Sequence, residues 1–294
     1  MRVEFITNVK CHDYEENGMK IYKCFPDGRF KALTMSYDDG YMEDERLVRI
    51  FNQYGIKGTF NLNSGMFEET YRGHKRVPKE RISELYKGHE VATHGYMHST
   101  MARCPLVEVA KEILRNREEL EAITGTLVRG HAYPNGSYSE EIKALFKQLD
   151  IAYARVASSI PRGMDTYGLP RDPMEWYPTC HHKASDLMER GKWLIDDQKS
   201  WYLRLMYVWG HSYEFAEDNN WETIENFCKL MGGHDDIWYA TNIEIIDYME
   251  VLNRLRFSVD GTFVYNPSVQ SAWLQVGEKR IVEVSGGAYV DLKM

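Results

Sequence analysis

The chain lacks several features that mark out particular classes of protein. It has no excess of positive charge, because 36 Lys and Arg are outnumbered by 44 Asp and Glu, which gives a net charge of −8. Nucleic-acid binding needs a basic surface, so we expect no nucleic-acid partner. The longest apolar runs are too short to cross a bilayer, so we expect no membrane partner.

Cysteine is sparse and scattered. The five cysteines stand at Cys11, Cys24, Cys104, Cys180 and Cys228, with no CxxC pair among them. An odd, scattered set of this kind is typical of free thiols in a reducing compartment. The opening segment MRVEFITNVK also lacks the apolar stretch of a signal peptide. Together these features predict a cytoplasmic protein.

Strand and helix patterns alternate along most of the chain. The strand candidates are KALTMSY, GTFNLN, EVATH, TLVRGHAYP, IAYARVA and WYLRLMYVWGH. Between them lie helical patterns such as EDERLVRIFNQYG, whose apolar residues recur at helical spacing before a glycine stop. This alternation predicts an α/β fold built on a parallel sheet or barrel.

The last part of the chain has a different pattern. From residue 257 to residue 294, apolar and polar residues alternate between turn signals such as Asp-Gly, Asn-Pro and Gly-Gly. We therefore predict a catalytic domain over residues 1–256 and a short antiparallel β extension over residues 257–294 that packs on it.

Polar side chains of catalytic type stand where predicted strands end. Asp38 and Asp39 directly follow KALTMSY, His94 is the last residue of EVATH with His98 four residues later, and His211 follows LMYVWG. In parallel α/β folds the active site lies at the carboxyl ends of the strands. We therefore expect these side chains to meet at one edge of the sheet.

The pair His94 and His98 has the spacing that places both side chains on one face of a helical turn. One carboxylate with two imidazoles is a common ligand set for a divalent transition metal that keeps positions open for water. The adjacent carboxylates of Asp38 and Asp39 suit such a cation, although a solvated Asp-Gly turn is the simpler alternative. The combination of both patterns favours a metal site.

Four segments resemble, in order and spacing, the motifs of the polysaccharide deacetylase family of carbohydrate esterases. They are TMSYDDG, HGYMHST, the strand ending in YPNG and the late VWGH, and they extend from Leu33 to His211. The resemblance implies a distorted (β/α) barrel of about seven parallel strands, to which the C-terminal antiparallel segment is added.

The resemblance also implies a role for each site residue. Asp38 would be the general base and protonated His211 the general acid. Asp39, His94 and His98 would bind one divalent transition metal, with zinc as the first choice and cobalt, nickel, iron and manganese as alternatives.

Three further residues are predicted to contact the substrate or the reaction's oxyanion. Tyr133 and Asn135 lie in the YPNG of the third motif, and we expect the backbone N–H of Asn135 to stabilise the oxyanion. Trp176 is predicted to be a stacking wall for a sugar ring, with simple core packing as the alternative.

The third motif departs from the family pattern. Where the family carries an arginine that pairs with the catalytic aspartate, this chain has Ala132, and Asn135 replaces a tyrosine. Arg129 is out of register on an extended strand, and His131 is either a substitute or an ordinary strand histidine. The sequence therefore predicts that Asp38 lacks its usual ion-pair partner.

The leading functional hypothesis is a metal-dependent hydrolase that removes acetyl groups from an N- or O-acetylated sugar or oligosaccharide. Two alternatives remain open. One is a hydrolase of a small cyclic amide or imide on the same fold, which the altered third motif suggests. The other is a carbohydrate-binding protein without turnover. The oligomeric state is also left open, a homodimer included.

Overall fold

The computed structural model describes residues 13–14 and 19–293. Its strands are β1 Asp13–Tyr14, β2 Met19–Cys24, β3 Lys31–Asp38, β4 Gly58–Leu62, β5 Thr70–Tyr71, β6 His74–Lys75, β7 Glu90–Thr93, β8 Gly130–Ala132, β9 Tyr153–Arg155, β10 Cys180–His181, β11 Arg204–Gly210, β12 Ile237–Tyr239, β13 Arg256–Phe257, β14 Phe263–Tyr265, β15 Ala272–Val276, β16 Arg280–Val284 and β17 Tyr289–Asp291. Its α-helices are α1 Asp44–Gln53, α2 Ile82–Leu85, α3 Leu106–Thr124, α4 Glu140–Gln148, α5 Leu187–Asp196, α6 Tyr213–Glu217, α7 Trp221–Met231 and α8 Asn242–Arg254.

A parallel sheet forms the centre of the molecule. Its strand order is β10-β11-β3-β4-β7-β8-β9, and β12 pairs with the first residues of β3 beside β4. All of these pairs are parallel. Every residue of β3 is buried, as expected for a strand covered on both faces. This strand ends on Asp38, and Asp39 follows it.

The sheet curls until its two edges are joined by one segment of chain. Trp176 forms a parallel bridge with Arg155 at the end of β9, and its carbonyl accepts the Val156 N–H at 3.0 Å. Three residues later, the Thr179 N–H donates to the Tyr207 carbonyl of β11 at 2.8 Å. The predicted distorted barrel of about seven parallel strands is confirmed.

The helices cover the barrel with the apolar faces that the sequence pattern predicts. In α1, the residues Leu47, Ile50 and Phe51 are buried against the sheet. The long helix α3 ends at Gly125, which has a left-handed φ of 69° and an N–H bonded to the Glu121 carbonyl. In the segment PKERISELYKG only α2 is α-helical, and a 3-10 turn at Lys79–Arg81 precedes it.

Antiparallel sheets lie beside the barrel. β15 pairs with β16 on one side and with β2 on the other, so this sheet combines the two ends of the described chain. β14 pairs with β13 and β17 in a separate sheet. The predicted antiparallel C-terminal segment is confirmed, whereas the domain boundary at residue 256 stays a prediction.

Among the described residues, Cys24, Cys104, Cys180 and Cys228 are free thiols, whereas Cys11 lies outside them. Within the same part of the chain, none of the helices has the length and apolar character that crossing a bilayer requires.

Candidate metal and proton-transfer site

The strand order brings the predicted polar residues to one edge of the barrel. Asp38 is the last residue of β3, and Asp39 follows it. His94 comes directly after β7, which is separated from β3 only by β4. His211 comes directly after β11, the neighbour of β3 on its other side. Residues that are far apart in sequence therefore face a common space.

Asp39, His94 and His98 form a three-residue cluster. The Nε2 atoms of His94 and His98 each lie 3.8 Å from Asp39 Oδ1, and the three ligand atoms lie within 4.8 Å of one another. Asp39 and His98 both have left-handed backbones, with φ of 79° and 56°. Such a conformation costs an L-residue roughly 1–2 kcal/mol. Strain of this kind persists only where the surrounding structure holds it, and it clusters at active sites and ligand-binding loops.

The ring of His94 is oriented for ligation by its other nitrogen. Its Nδ1 lies 2.8 Å from the Ala132 carbonyl oxygen, which can only accept a hydrogen bond. Nδ1 therefore carries the proton, and Nε2 presents a lone pair toward Asp39. Burial lowers the pKa of His94 to about 4, although Asp38 acts in the opposite direction. The imidazole is therefore neutral near pH 7, as a metal ligand must be.

The donor set fits one divalent transition metal. It consists of one carboxylate oxygen and two neutral imidazole nitrogens, the combination that zinc and its first-row neighbours accept. Asp38 lies close by, with Oδ2 3.9 Å from His94 Nε2. The cluster therefore supplies three ligands and a second carboxylate beside them.

Asp38 is buried and held by two side chains from other strands. Asn61 Nδ2 donates to its Oδ1 at 2.9 Å, and Arg155 Nη2 donates to its Oδ2. Burial alone would raise the pKa of Asp38, but the guanidinium of Arg155 lowers it to about 2. The carboxylate is therefore ionised across the physiological range and is oriented at both oxygens.

The prediction that Asp38 lacks an ion-pair partner is wrong. Arg155 lies on β9, the strand after the one that carries the third motif, and its side chain is fully buried. The nearer candidates have other partners: Arg129 pairs with Asp247 at 3.0 Å, and His131 Nδ1 lies 2.7 Å from Thr93 Oγ1. The available signal was an arginine inside the otherwise apolar strand IAYARVA.

His211 is oriented by a carboxylate that the sequence analysis missed. Glu214 Oε2 lies 3.3 Å from His211 Nδ1 and accepts the His211 backbone N–H at 3.1 Å. Burial alone would lower the pKa of His211, but the bond to Glu214 and the charges of Asp38 and Asp39 raise it above its ordinary value. The imidazole is therefore biased toward its protonated form, with Nδ1–H fixed on Glu214.

His181 shares the same carboxylate. Its Nε2 lies 3.2 Å from Glu214 Oε2, so His181, His211 and Glu214 form a second group with metal-binding composition. However, the Lys183 backbone N–H donates to His181 Nδ1 at 3.1 Å. A neutral His181 must then carry its proton on Nε2, where it donates to Glu214. Hydrogen bonding alone accounts for this group, and Lys183 Nζ, 3.2 Å from Glu214 Oε1, adds positive charge there.

Two of the three predicted substrate contacts are wrong. Trp176 is 1% exposed and packs edge-on against Tyr153 and Tyr207 in the core, so it cannot form a wall for a sugar ring. Tyr133 is also 1% exposed, its hydroxyl donates to the Met174 carbonyl, and its N–H donates to the Arg155 carbonyl. The hydroxyl and the backbone N–H of Tyr133 are therefore both used within the protein and cannot donate to a substrate.

Asn135 has the exposure that its predicted role requires. It is exposed on the loop after β8, with a left-handed φ of 55°. Its side-chain amide donates to Thr100 Oγ1 at 3.0 Å, which ties this loop to the one that carries His98. Its contact with a reaction oxyanion stays a prediction.

Comparison with known families is consistent with this geometry. Residues 26–154 match the family model described as polysaccharide deacetylase. The matched region contains Asp38, Asp39, His94 and His98, and it stops one residue before Arg155.

Individual relatives are distant. The uncharacterized protein YlxY of Bacillus subtilis (strain 168) is 23% identical over 146 residues, which are 50% of this chain and 42% of YlxY. A solved structure from Mycobacterium smegmatis, assigned to the polysaccharide deacetylases, has 14% identity and a TM-score of 0.56, with 79% of this chain and 94% of that one covered. A CE4 family pseudoenzyme from Bacillus anthracis has 18% identity and a TM-score of 0.46, with coverage of 77% and 68%. The Mycobacterium smegmatis structure shows a shared fold.

Proposed function

We propose that the protein is a metal-dependent hydrolase that removes acetyl groups from an N- or O-acetylated carbohydrate, because residues 26–154 match the family model described as polysaccharide deacetylase. The observation that carries this proposal is the position of the Asp39, His94 and His98 cluster beside the ionised, arginine-paired Asp38. The substrate class is an acetylated sugar or oligosaccharide.

Asp39, His94 and His98 would bind the cation, with zinc as the first choice among the transition metals. When bound, such a cation supplies Lewis acidity to the acetyl carbonyl and lowers the pKa of a water molecule. The neutral His94 ring, with its proton held by the Ala132 carbonyl, is prepared to serve as a ligand.

Asp38 would act as the general base. Its carboxylate is ionised because of Arg155, so it can accept a proton from the attacking water. The hydrogen bonds from Asn61 and Arg155 fix the direction of the carboxylate before substrate arrives. An oriented base lowers the entropic cost of reaching the transition state.

His211 would act as the general acid. Glu214 holds its Nδ1–H, so Nε2 is the nitrogen that can give a proton to the departing amine or alcohol. The backbone N–H of Asn135 would donate to the oxyanion that develops on the acetyl carbonyl. This assignment separates the acid and the base onto neighbouring strands β11 and β3.

The alternative reaction, hydrolysis of a small cyclic amide or imide, was suggested by the apparent loss of the arginine partner of Asp38. Arg155 fills that position from β9, so this reason no longer holds. The other alternative, a non-catalytic carbohydrate-binding protein, is distinguished from a hydrolase by the following experiment.

The decisive experiment combines metal content with acetate release. Elemental analysis of the purified protein is compared for the parent, the double variant Asp39→Ala/His94→Ala and the matched control Asp38→Asn. The same samples are assayed on N-acetylated and O-acetylated oligosaccharides and on a cyclic imide.

We expect about one transition metal per chain in the parent and in Asp38→Asn, and none in the double variant. Acetate should be released only by the parent. Metal without acetate release but with imide hydrolysis would select the second reaction. A parent that binds no metal after incubation with excess zinc would overturn the proposal. The hypothesis of a non-catalytic carbohydrate-binding protein would then remain.

A further inference from the structure

Two loops carry the residues of the metal cluster, and a buried pair of side chains, Arg76 and Asn63, joins the two loops. We propose that Arg76 and Asn63 are positioning residues that hold Asp39 and His94 in the arrangement needed for metal binding. This inference rests on the proposed function, because it concerns the same metal site.

Arg76 binds the loop that carries Asp39. It is 4% exposed, and its Nη1 donates to the Asp39 backbone carbonyl, while Nη2 lies 3.5 Å from Asp39 Oδ1. The guanidinium also lies 4.8 Å from the centre of the Tyr41 ring, which restricts its plane. One side chain therefore holds both the strained backbone and the carboxylate of Asp39.

Asn63 passes this constraint to the second loop. Its Oδ1 accepts from Arg76 Nη1 at 3.1 Å, and its Nδ2 donates to the His94 carbonyl at 2.5 Å and to the Gly95 carbonyl at 2.8 Å. Asn63 is 1% exposed, so no water competes for these bonds. The chain of contacts runs from Asp39 through Arg76 and Asn63 to the backbone of His94.

The geometry of this chain of contacts has a direct consequence for metal binding. It fixes the backbones from which Asp39 Oδ1 and His94 Nε2 reach a separation of 3.8 Å. Without it, the free energy of metal binding would have to order both loops, which weakens the measured affinity. Loss of outer contacts that orient metal ligands typically reduces metal affinity about 10- to 100-fold.

The charge of Arg76 must be separated from its geometry. A positive charge beside Asp39 repels a cation, so a neutral replacement would change two effects of opposite sign. Arg76→Lys keeps the charge but cannot make the forked contacts to Asp39 and Asn63. Asn63→Ala removes the connection to His94 and leaves the charge unchanged.

The test measures zinc affinity by competition with a chromophoric chelator, on the full chain and without substrate. We expect Arg76→Lys and Asn63→Ala each to weaken zinc binding about 10- to 100-fold. If the two residues act as one unit, their effects should not add. The double variant should then bind zinc with nearly the same affinity as the single variant that binds zinc more weakly. The melting temperature of the metal-free protein is recorded for each variant.

Lys143→Met is the matched control for general destabilisation. Lys143 is also buried and ion-paired, with Nζ 2.7 Å from Glu175 Oε2 and 2.9 Å from Asp172 Oδ2, and its ion pairs within the described residues do not involve the metal cluster. It should lower the melting temperature and leave zinc affinity at the parent value. Parent-like zinc affinity in both Arg76→Lys and Asn63→Ala would overturn the inference, whereas a parent that binds no zinc would overturn the proposed function itself.

Discussion

Arg155 donates a hydrogen bond to Asp38 Oδ2 inside the barrel, while its guanidinium lies 4.4 Å from the centre of the Trp209 ring. The side chains of Arg155 and Asp38 are 0% and 3% exposed. They come from β9 and β3, which are separated by three strands in the sheet order. A buried charge without its partner is strongly unfavourable, so each of these two residues depends on the other.

Arg155→Met should therefore destabilise the protein by about 3–5 kcal/mol, because it leaves the Asp38 carboxylate buried and unpaired. Urea denaturation at pH 7 measures this loss. The control is Arg129→Met, whose partner Asp247 is 44% exposed, and which should cost no more than about 1 kcal/mol. Equal losses in the two variants would contradict the assigned importance of the buried pair.

Glu214→Gln should move the alkaline limb of the activity profile to lower pH. His211 must be protonated to act as an acid, so activity falls as pH rises through its pKa. Glu214 raises the pKa of His211, and glutamine has no charge with which to do so. The profile of kcat/KM against pH measures the shift. Asp218→Asn is the control, since Asp218 pairs with Lys183 at 2.7 Å and should leave the limb in place.

His182→Phe should reduce the loss of stability on acidification. His182 is stacked between Tyr37 and Phe215, and burial lowers its pKa to about 3. Because the folded pKa is below the unfolded value of 6.5, the unfolded state binds the extra proton, and stability is lost as pH falls from 6.5 toward 3.

Phenylalanine takes up no proton. The difference in stability between pH 7 and pH ~4.5 should therefore be smaller by about 2 kcal/mol in the His182→Phe variant. Urea denaturation of the metal-free protein at both pH values measures it. An equal loss of the free energy of unfolding between the two pH values in parent and variant would rule out a contribution from His182 protonation.

Gly210→Ala should damage both stability and turnover. A Cβ at Gly210 would lie 2.0 Å from His182 Nδ1 and 2.4 Å from its Cε1, so the ring must move. We expect a loss of about 1–3 kcal/mol and a lower kcat, since His211 is the next residue. The double variant Gly210→Ala/His182→Ala relieves the contact and should recover part of the lost turnover. If it recovers none, the clash with His182 is not the cause.

The sequence predicted the parts of the site that depend on local pattern. Asp38, Asp39, His94 and His98 stand at or just after the ends of KALTMSY and EVATH. They lie at one sheet edge, because parallel strands end there together. Glu214 was also within reach of sequence analysis, since it stands three residues after His211 in the segment HSYE.

The parts that depend on long-range contacts could not be predicted. Arg155 meets Asp38 across 117 positions, and strand periodicity does not show which side chain will cross the barrel interior. Trp176 was assigned to a substrate wall because an aromatic residue has the same local signature in a core and in a cleft. Its burial depends on the bridge with Arg155, which only the closed sheet provides.

The pairing of β2 with β15 has a consequence for the order of events during synthesis. Cys24 and Trp273 are direct partners in that sheet, about 250 positions apart. The ribosome therefore synthesises β2 long before β15. One edge of β2 stays without its partner strand until β15 has been made. Contacts of such separation slow folding, because the loop-closure entropy must be overcome before the pairing contributes any stability. A strand late in the described chain thus completes a sheet that an early strand began.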